Sequence, residues 1–219
     1  MIISSYKYLN FAHFFYHITT YNSGGGEGAT LREVLKHSTL EEAVMIEIDK
    51  EVVELSRDYL PQWQDCSSIA HHKHKGASEW CFDDARATTK FDDAMKYFNE
   101  FDDKAYDLII MDALDPNDDI PFAVELYTSD DYIRSLFNAL NQDGILVVQV
   151  GESPDEDRPA DEVGAFANRA MMKNKLVEVG FKRLVLYRIY WKVYTGRLTI
   201  VHTLTLSLFL SILFKHSCL

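Results

Sequence analysis

Apolar positions along the chain fall into two rhythms. Ala43 to Ile48, Asp107 to Met111 and Ile145 to Val150 are short, nearly unbroken apolar runs of strand length, as expected of strands covered on both faces. Thr88 to Phe91 is a weaker strand, and Ile18-Thr19-Thr20 a short β-branched one. Between the runs the spacing turns helical. Ala29 to His37 places Leu31, Val34 and Leu35 on one face, and Lys50 to Tyr59 places Val52, Val53 and Leu55 inward before Pro61 stops it. Ala94 to Phe101 is a further helix. Thr128-x-x-Asp131 reads as a capping box opening a helix to Leu140, and Asn141 to Gly144 as a turn. Residues 62–82 are polar and mixed, the pattern of a surface insertion.

Strands alternating with helices at short spacing predict an α/β fold, a Rossmann-like, doubly wound and mostly parallel sheet. The predicted organisation is a poorly defined lead-in at 1–23, a core at 24–187 and an apolar tail at 188–219.

Charge narrows the function. The 219 residues carry a net charge of −12, which argues against a nucleic-acid partner and suits a cationic ligand. Three cysteines, Cys66, Cys81 and Cys218, are too sparse for a disulfide framework and point to a reducing, cytoplasmic setting. The start of the chain has no apolar core or cleavage site of a secretory signal.

The candidate chemistry sits at strand ends. Gly24-Gly25-Gly26-Glu27-Gly28-Ala29 precedes a helix, and glycines there let backbone N–H groups approach a ligand closely. The same run is compatible with a tight turn alone. Glu47 ends the next strand about 20 positions on, where a carboxylate can accept from both hydroxyls of a ribose; an ordinary exposed strand-end glutamate fits equally. Asp93 ends the third strand, either beside an adenine amino group or as an N-cap for the helix at Ala94. Glu27 would repel a pyrophosphate but suits a sulfonium or an amine, which favours an S-adenosyl ligand over NAD or ATP. Asp112 and Asp115 follow the strongest strand and could bracket one amine, one of them taking its proton; a solvated acidic loop is the alternative.

GGGEGATLREVLKH, EEAVMIEIDKEVVELSRDYLP, DDARATTKFDDAMKYF, YDLIIMDALDP, ELYTSDDY and GILVVQVGESP follow one another along residues 24–153. Together they resemble the polyamine synthases, the aminopropyltransferases that make spermidine, spermine and thermospermine; GGGEG and DALDP look nearest the thermospermine-synthase-like branch. The resemblance implies an S-adenosylmethionine-methyltransferase-like core. It implies transfer of an aminopropyl group from decarboxylated S-adenosylmethionine to putrescine or spermidine, with no metal and no resident cofactor. Gly24, Gly26, Gly28, Glu47, Asp93 and Ala94 would bind the donor, Glu27 its amine, Asp115 the polyamine, and Asp112 would be the base. A homodimer is also implied.

The chain departs from that family at both ends. The family's N-terminal β domain has no counterpart before Gly24. The uncharged stretch from Leu198 to Phe214 reads either as a membrane anchor or, the reading adopted, as a tail that is not a functional element. His71, His72, His74, Cys66 and Cys81 lack metal-ligand spacing and read as a surface loop. Two rival functions stay open: an inactive or regulatory homologue of the same fold, and an S-adenosylmethionine-dependent methyltransferase.

Overall fold

The computed structural model describes residues 18–70, 76, 78–103, 106–114, 119–152, 165–192 and 205–214. Five strands lie parallel: β1 (Ile18–Ser23), β2 (Leu40–Glu47), β3 (Ala87–Phe91), β4 (Tyr106–Met111) and β5 (Leu140–Glu152). Two more, β6 (Arg183–Lys192) and β7 (Thr205–Phe214), complete the sheet, with β7 antiparallel to both β5 and β6. The order is β3-β2-β1-β4-β5-β7-β6, so the winding reverses between β1 and β4. The carboxyl ends of strands at such a reversal leave a crevice between diverging connections, where open α/β sheets take their ligands.

Alternation along the strands builds two cores. Val44 and Ile46 of β2, Ile109 and Met111 of β4, and Leu146, Val148 and Val150 of β5 share the larger one. There they meet α5 (Ala94–Glu100) through Met95 and Phe98, α7 (Asp130–Ala139) through Tyr132, Ile133 and Leu136, and α8 (Ala165–Val179) through Met172 and Leu176. Each such side chain contributes on the order of 1.5–3 kcal/mol when fully buried. The smaller core joins Leu40 and Ala43 to Leu31 and Leu35 of α1 (Ala29–Leu35), and to Cys66, Ile69 and Cys81. Leu108, Ile110, Ile145 and Val147 are also buried, so β4 and β5 are covered on both faces and read as continuous apolar runs.

The sheet extends past both expected limits of the core. β1 lies at its centre, hydrogen-bonded to β2 and β4, although ITTYNS carries little apolar signal. Beyond residue 187, β6 continues to Lys192, and Thr205–Phe214 pairs with β5 and β6 along their lengths. Much of the stretch read as an anchor or a functionless tail is thus a sheet strand, not a helix. Among the described residues no helix is long and apolar enough to cross a membrane.

Residues 62–82 are more than a surface insertion. Short helices α3 (Pro61–Gln64) and α4 (Ser67–Ala70) and a 3-10 turn at Cys81–Asp83 send Gln64, Cys66, Ile69 and Cys81 into the interior. Cys66 and Cys81 form a disulfide, against the expectation drawn from the cysteine count. His71, His72, His74 and Cys218 lie outside the described residues.

Helix α2 (Lys50–Tyr59) forms where expected, capped by Asp49 accepting from the Glu51 amide at 2.9 Å, but its apolar face is not inward. Val52 is 37% and Leu55 54% exposed, and Ser56 is the buried position. The helix packs against α3, whose Gln64 Nε2 donates to the Val53 carbonyl at 3.0 Å, and Val52 and Leu55 stay outside both core clusters. The cap expected at Thr128 also moves by one residue. The Thr128 hydroxyl donates to the Val124 carbonyl in the last turn of α6 (Pro121–Thr128), and Ser129 accepts from the Tyr132 amide to open α7. Asn141 to Gly144 interrupts the β4–β5 register instead of standing apart as a turn, and Asn141 Nδ2 donates to Asp107 Oδ1 at 2.9 Å.

Candidate active site

A cavity of about 320 Å³ opens at the carboxyl ends of β1 to β4, where the winding reverses. That is within the usual range for a small-molecule site. Four consecutive strand ends supply its polar lining: Gly24 to Glu27, then Glu47, then Asp92 and Asp93, then Asp112. Ile48 and Val52 from the start of α2, and Phe122 and Leu126 from α6, form an apolar wall. Among the described residues, no lysine, arginine or histidine lines it.

Three glycines of the loop have distinct tasks. Gly24 has φ +77°, and a Cβ there would stand 2.6 Å from Cα of Ala113 and 2.7 Å from the Asp112 carbonyl oxygen. Only a glycine lets the end of β1 come this close to the turn after β4. Its amide donates to the Ile46 carbonyl at 3.1 Å, which ties the loop to β2 as well. Gly26 is buried, and its amide donates to Oε2 of Glu47 at 3.0 Å. Gly28 takes φ +86° as the N-cap of α1; it faces Gln64 and Phe82 and is not part of the cavity lining.

Glu47 is 8% exposed and held from two sides, Oε2 by Gly26 and Oε1 by the Asp49 amide at 3.1 Å. Each carboxylate oxygen accepts more than one hydrogen bond, so these clamps orient the group and leave acceptor capacity toward the cavity. Asp93 fulfils the capping role weighed in the sequence, accepting from the Met95 amide at 2.8 Å, and it also lines the cavity beside Ala94. Glu27 lies within the glycine loop. Burial pushes its carboxyl above the ordinary glutamate range; its own backbone hydrogen bond works against this, and the charge of Glu47 adds to it. Asp112 is half-buried at the end of β4. Asp115 lies outside the described residues.

Residues 23–167 match the family of the spermine/spermidine synthase domain. The chain belongs to this family. Among curated relatives of this synthase-domain chain, the polyamine aminopropyltransferase of Pyrobaculum calidifontis is 48% identical over 134 residues, 59% of this chain and 40% of the relative. Polyamine aminopropyltransferase 1 of Hyperthermus butylicus is 46% identical over 130 residues, 58% and 39% of the two chains. The chain thus spans about two fifths of the length of the curated relatives it matches. Two solved structures share its fold: a spermidine synthase in complex with the transition state analogue AdoDATO, and the spermidine synthase from Thermotoga maritima. Each has a TM-score of 0.63 and 23% identity, covering 92% of this chain and 54% of the other.

Sequence reasoning did not reach the part that α6 plays in this synthase domain. Phe122 and Leu126 line the cavity, and Tyr127, outside that lining, is buried in the larger core together with Leu126. The ELYTSDDY block carried a capping signal and part of the family resemblance, and nothing in it says which carbonyls a buried tyrosine will meet.

Proposed function

We propose that this domain transfers an aminopropyl group from decarboxylated S-adenosylmethionine to a polyamine, putrescine or spermidine. The observation that carries the reading is the lining: four carboxylate-bearing strand ends, one carboxylate inside the glycine loop itself, and no cationic side chain among the described residues. Both substrates are cations, and a pocket of this sign attracts them.

The roles are those the family resemblance implies, and the places of Glu27, Glu47, Asp93, Ala94 and Asp112 in the lining support them. Glu47, already oriented by two amides, accepts from the ribose hydroxyls. Asp93 and Ala94 border the adenine, with Ile48 and Val52 as the apolar surface beside it. Glu27 receives the primary ammonium of the donor, and a cation there offsets the burial that otherwise favours its neutral form. Asp112 accepts a proton from the attacking ammonium of the polyamine, and Asp115 holds the rest of that chain. The freed nitrogen lone pair then attacks the carbon next to the sulfonium, the carbon–sulfur bond breaks, and methylthioadenosine leaves as a neutral thioether. Alignment of nitrogen, carbon and sulfur supplies the remaining acceleration. No step in this chemistry calls for a metal.

The test is direct. Purified protein with decarboxylated S-adenosylmethionine and putrescine or spermidine should release methylthioadenosine. Asp112→Asn should abolish turnover while methylthioadenosine still binds. A folded sample that binds methylthioadenosine but releases none from any polyamine points to the inactive homologue. Methyl transfer from S-adenosylmethionine, with no reaction of the decarboxylated donor, points to a methyltransferase.

A further inference from the structure

Tyr127 is buried to 1% exposure, and its hydroxyl reaches two main-chain carbonyls, those of Leu114 and of Gln149, the latter at 2.8 Å. Leu114 lies two residues beyond Asp112 in the turn that leaves β4; Gln149 lies in the neighbouring strand β5. The one hydroxyl hydrogen is shared between these carbonyls and spans the ends of the two strands. The same turn also meets the backbone of Gly24, close enough that a Cβ there would press on Ala113 Cα and the Asp112 carbonyl oxygen. The Asp112–Leu114 turn is therefore held at two points, by a glycine that leaves no room and by a hydroxyl that donates.

We propose that Tyr127 is a positioning residue for Asp112: its hydroxyl fixes the turn that carries the base, without touching substrate. The proposal rests on the aminopropyl-transfer reading for what Asp112 does. It goes beyond that reading in assigning a task to a side chain outside the cavity lining. Helix α6 then serves both halves of the site. Phe122 and Leu126 shape the wall, and Tyr127 ties the catalytic turn to the helix that carries them. A base that must meet an amine within hydrogen-bond reach loses rate steeply when its backbone drifts. A misplacement of about 1 Å costs on the order of 100-fold. Of the proposed donor contacts, those from β2 and β3 lie away from this turn, and in the loop after β1 Gly24 backs onto it through main chain alone.

The test compares Tyr127→Phe with Tyr106→Phe. Tyr106 is also buried, sits at the opposite end of β4, and pairs its hydroxyl with that of Tyr97 at 2.6 Å. Both variants lose one buried hydroxyl and keep the ring. The expected result is a kcat for Tyr127→Phe reduced about 10- to 100-fold, with KM for the donor and affinity for methylthioadenosine within about twofold of wild type. Tyr106→Phe should keep its kcat within about twofold. Amide exchange should quicken over residues 112–114 in Tyr127→Phe alone. Unchanged kcat, equal losses in both variants, or a parallel loss of methylthioadenosine affinity would overturn the proposal. If the wild-type protein shows no transfer at all, the functional reading has failed, and exchange alone decides the positioning. Faster exchange confined to 112–114 upholds it, and unchanged exchange there removes it.

Discussion

The amide of Gly26 donates to Oε2 of Glu47, joining the glycine loop after β1 to the acid that ends β2. A Cβ on Gly26 would stand 3.0 Å from that same oxygen and from Val52 Cγ1. Gly26→Ala should therefore displace the Glu47 carboxylate and weaken methylthioadenosine binding by about tenfold, close to 1.4 kcal/mol. Glu47→Ala should go further. It leaves the amides of Gly26 and Asp49 without their acceptor and should lower stability by about 1–3 kcal/mol. Calorimetric titration and urea unfolding read the two effects separately, and full methylthioadenosine affinity in Gly26→Ala would contradict the first.

Gly28 gives the opposite expectation for a residue only two positions on. Its φ of +86° disfavours any side chain, and a Cβ would meet Gln64 Cγ and Phe82 Cε2 at 2.8 Å. Gly28→Ala should cost about 1–3 kcal/mol of stability through backbone strain and overpacking. Once folded, it should bind methylthioadenosine as wild type does. A selective loss of binding at normal stability would return Gly28 to the donor site.

Glu27 gives stability a pH dependence of definite sign. Burial raises its carboxyl in the folded state above the ordinary range it has when unfolded. Its contribution is therefore fully present below that ordinary range and is lost as pH rises through the raised value. The stability of wild type relative to Glu27→Gln should fall over that window, and a flat difference would contradict it. Binding a cationic donor in the same window should release a proton, visible as a dependence of binding heat on the ionisation enthalpy of the buffer.

The Cys66–Cys81 bond closes a loop of 15 residues beside the smaller core. A loop of that length is worth about 3 kcal/mol in the chain-entropy account. Urea unfolding of wild type with and without dithiothreitol, beside the Cys66→Ala/Cys81→Ala pair, should show a loss of that order in both. The chain with both cysteines replaced should ignore the reductant.

Strands covered on both faces were legible in the sequence because such burial writes an unbroken apolar run: β2, β4 and β5 are all of this kind. β1 was faint because ITTYNS is held by main-chain pairing on two sides, which leaves no mark in polarity. The run at 205–214 was visible as apolar, but length and composition alone do not separate a sheet strand from a membrane-spanning segment. The acids Glu47, Asp93 and Asp112 were legible because strand-end position and chemistry coincide. Tyr127 was not, because its role depends on two carbonyls distant in sequence. The disulfide was hidden for the same reason, since two cysteines among three say nothing about proximity.

The place of β7 sets an order on biosynthesis. Its two sheet neighbours, β5 and β6, are both translated before it. While Thr205–Phe214 is still within the ribosome, β5 presents an unpaired edge and β6 has no partner among the described strands. Completion of the β5-β7-β6 part of the sheet waits for that segment to emerge, and until then β5 is an additional open edge that chaperones, or another nascent copy, can engage.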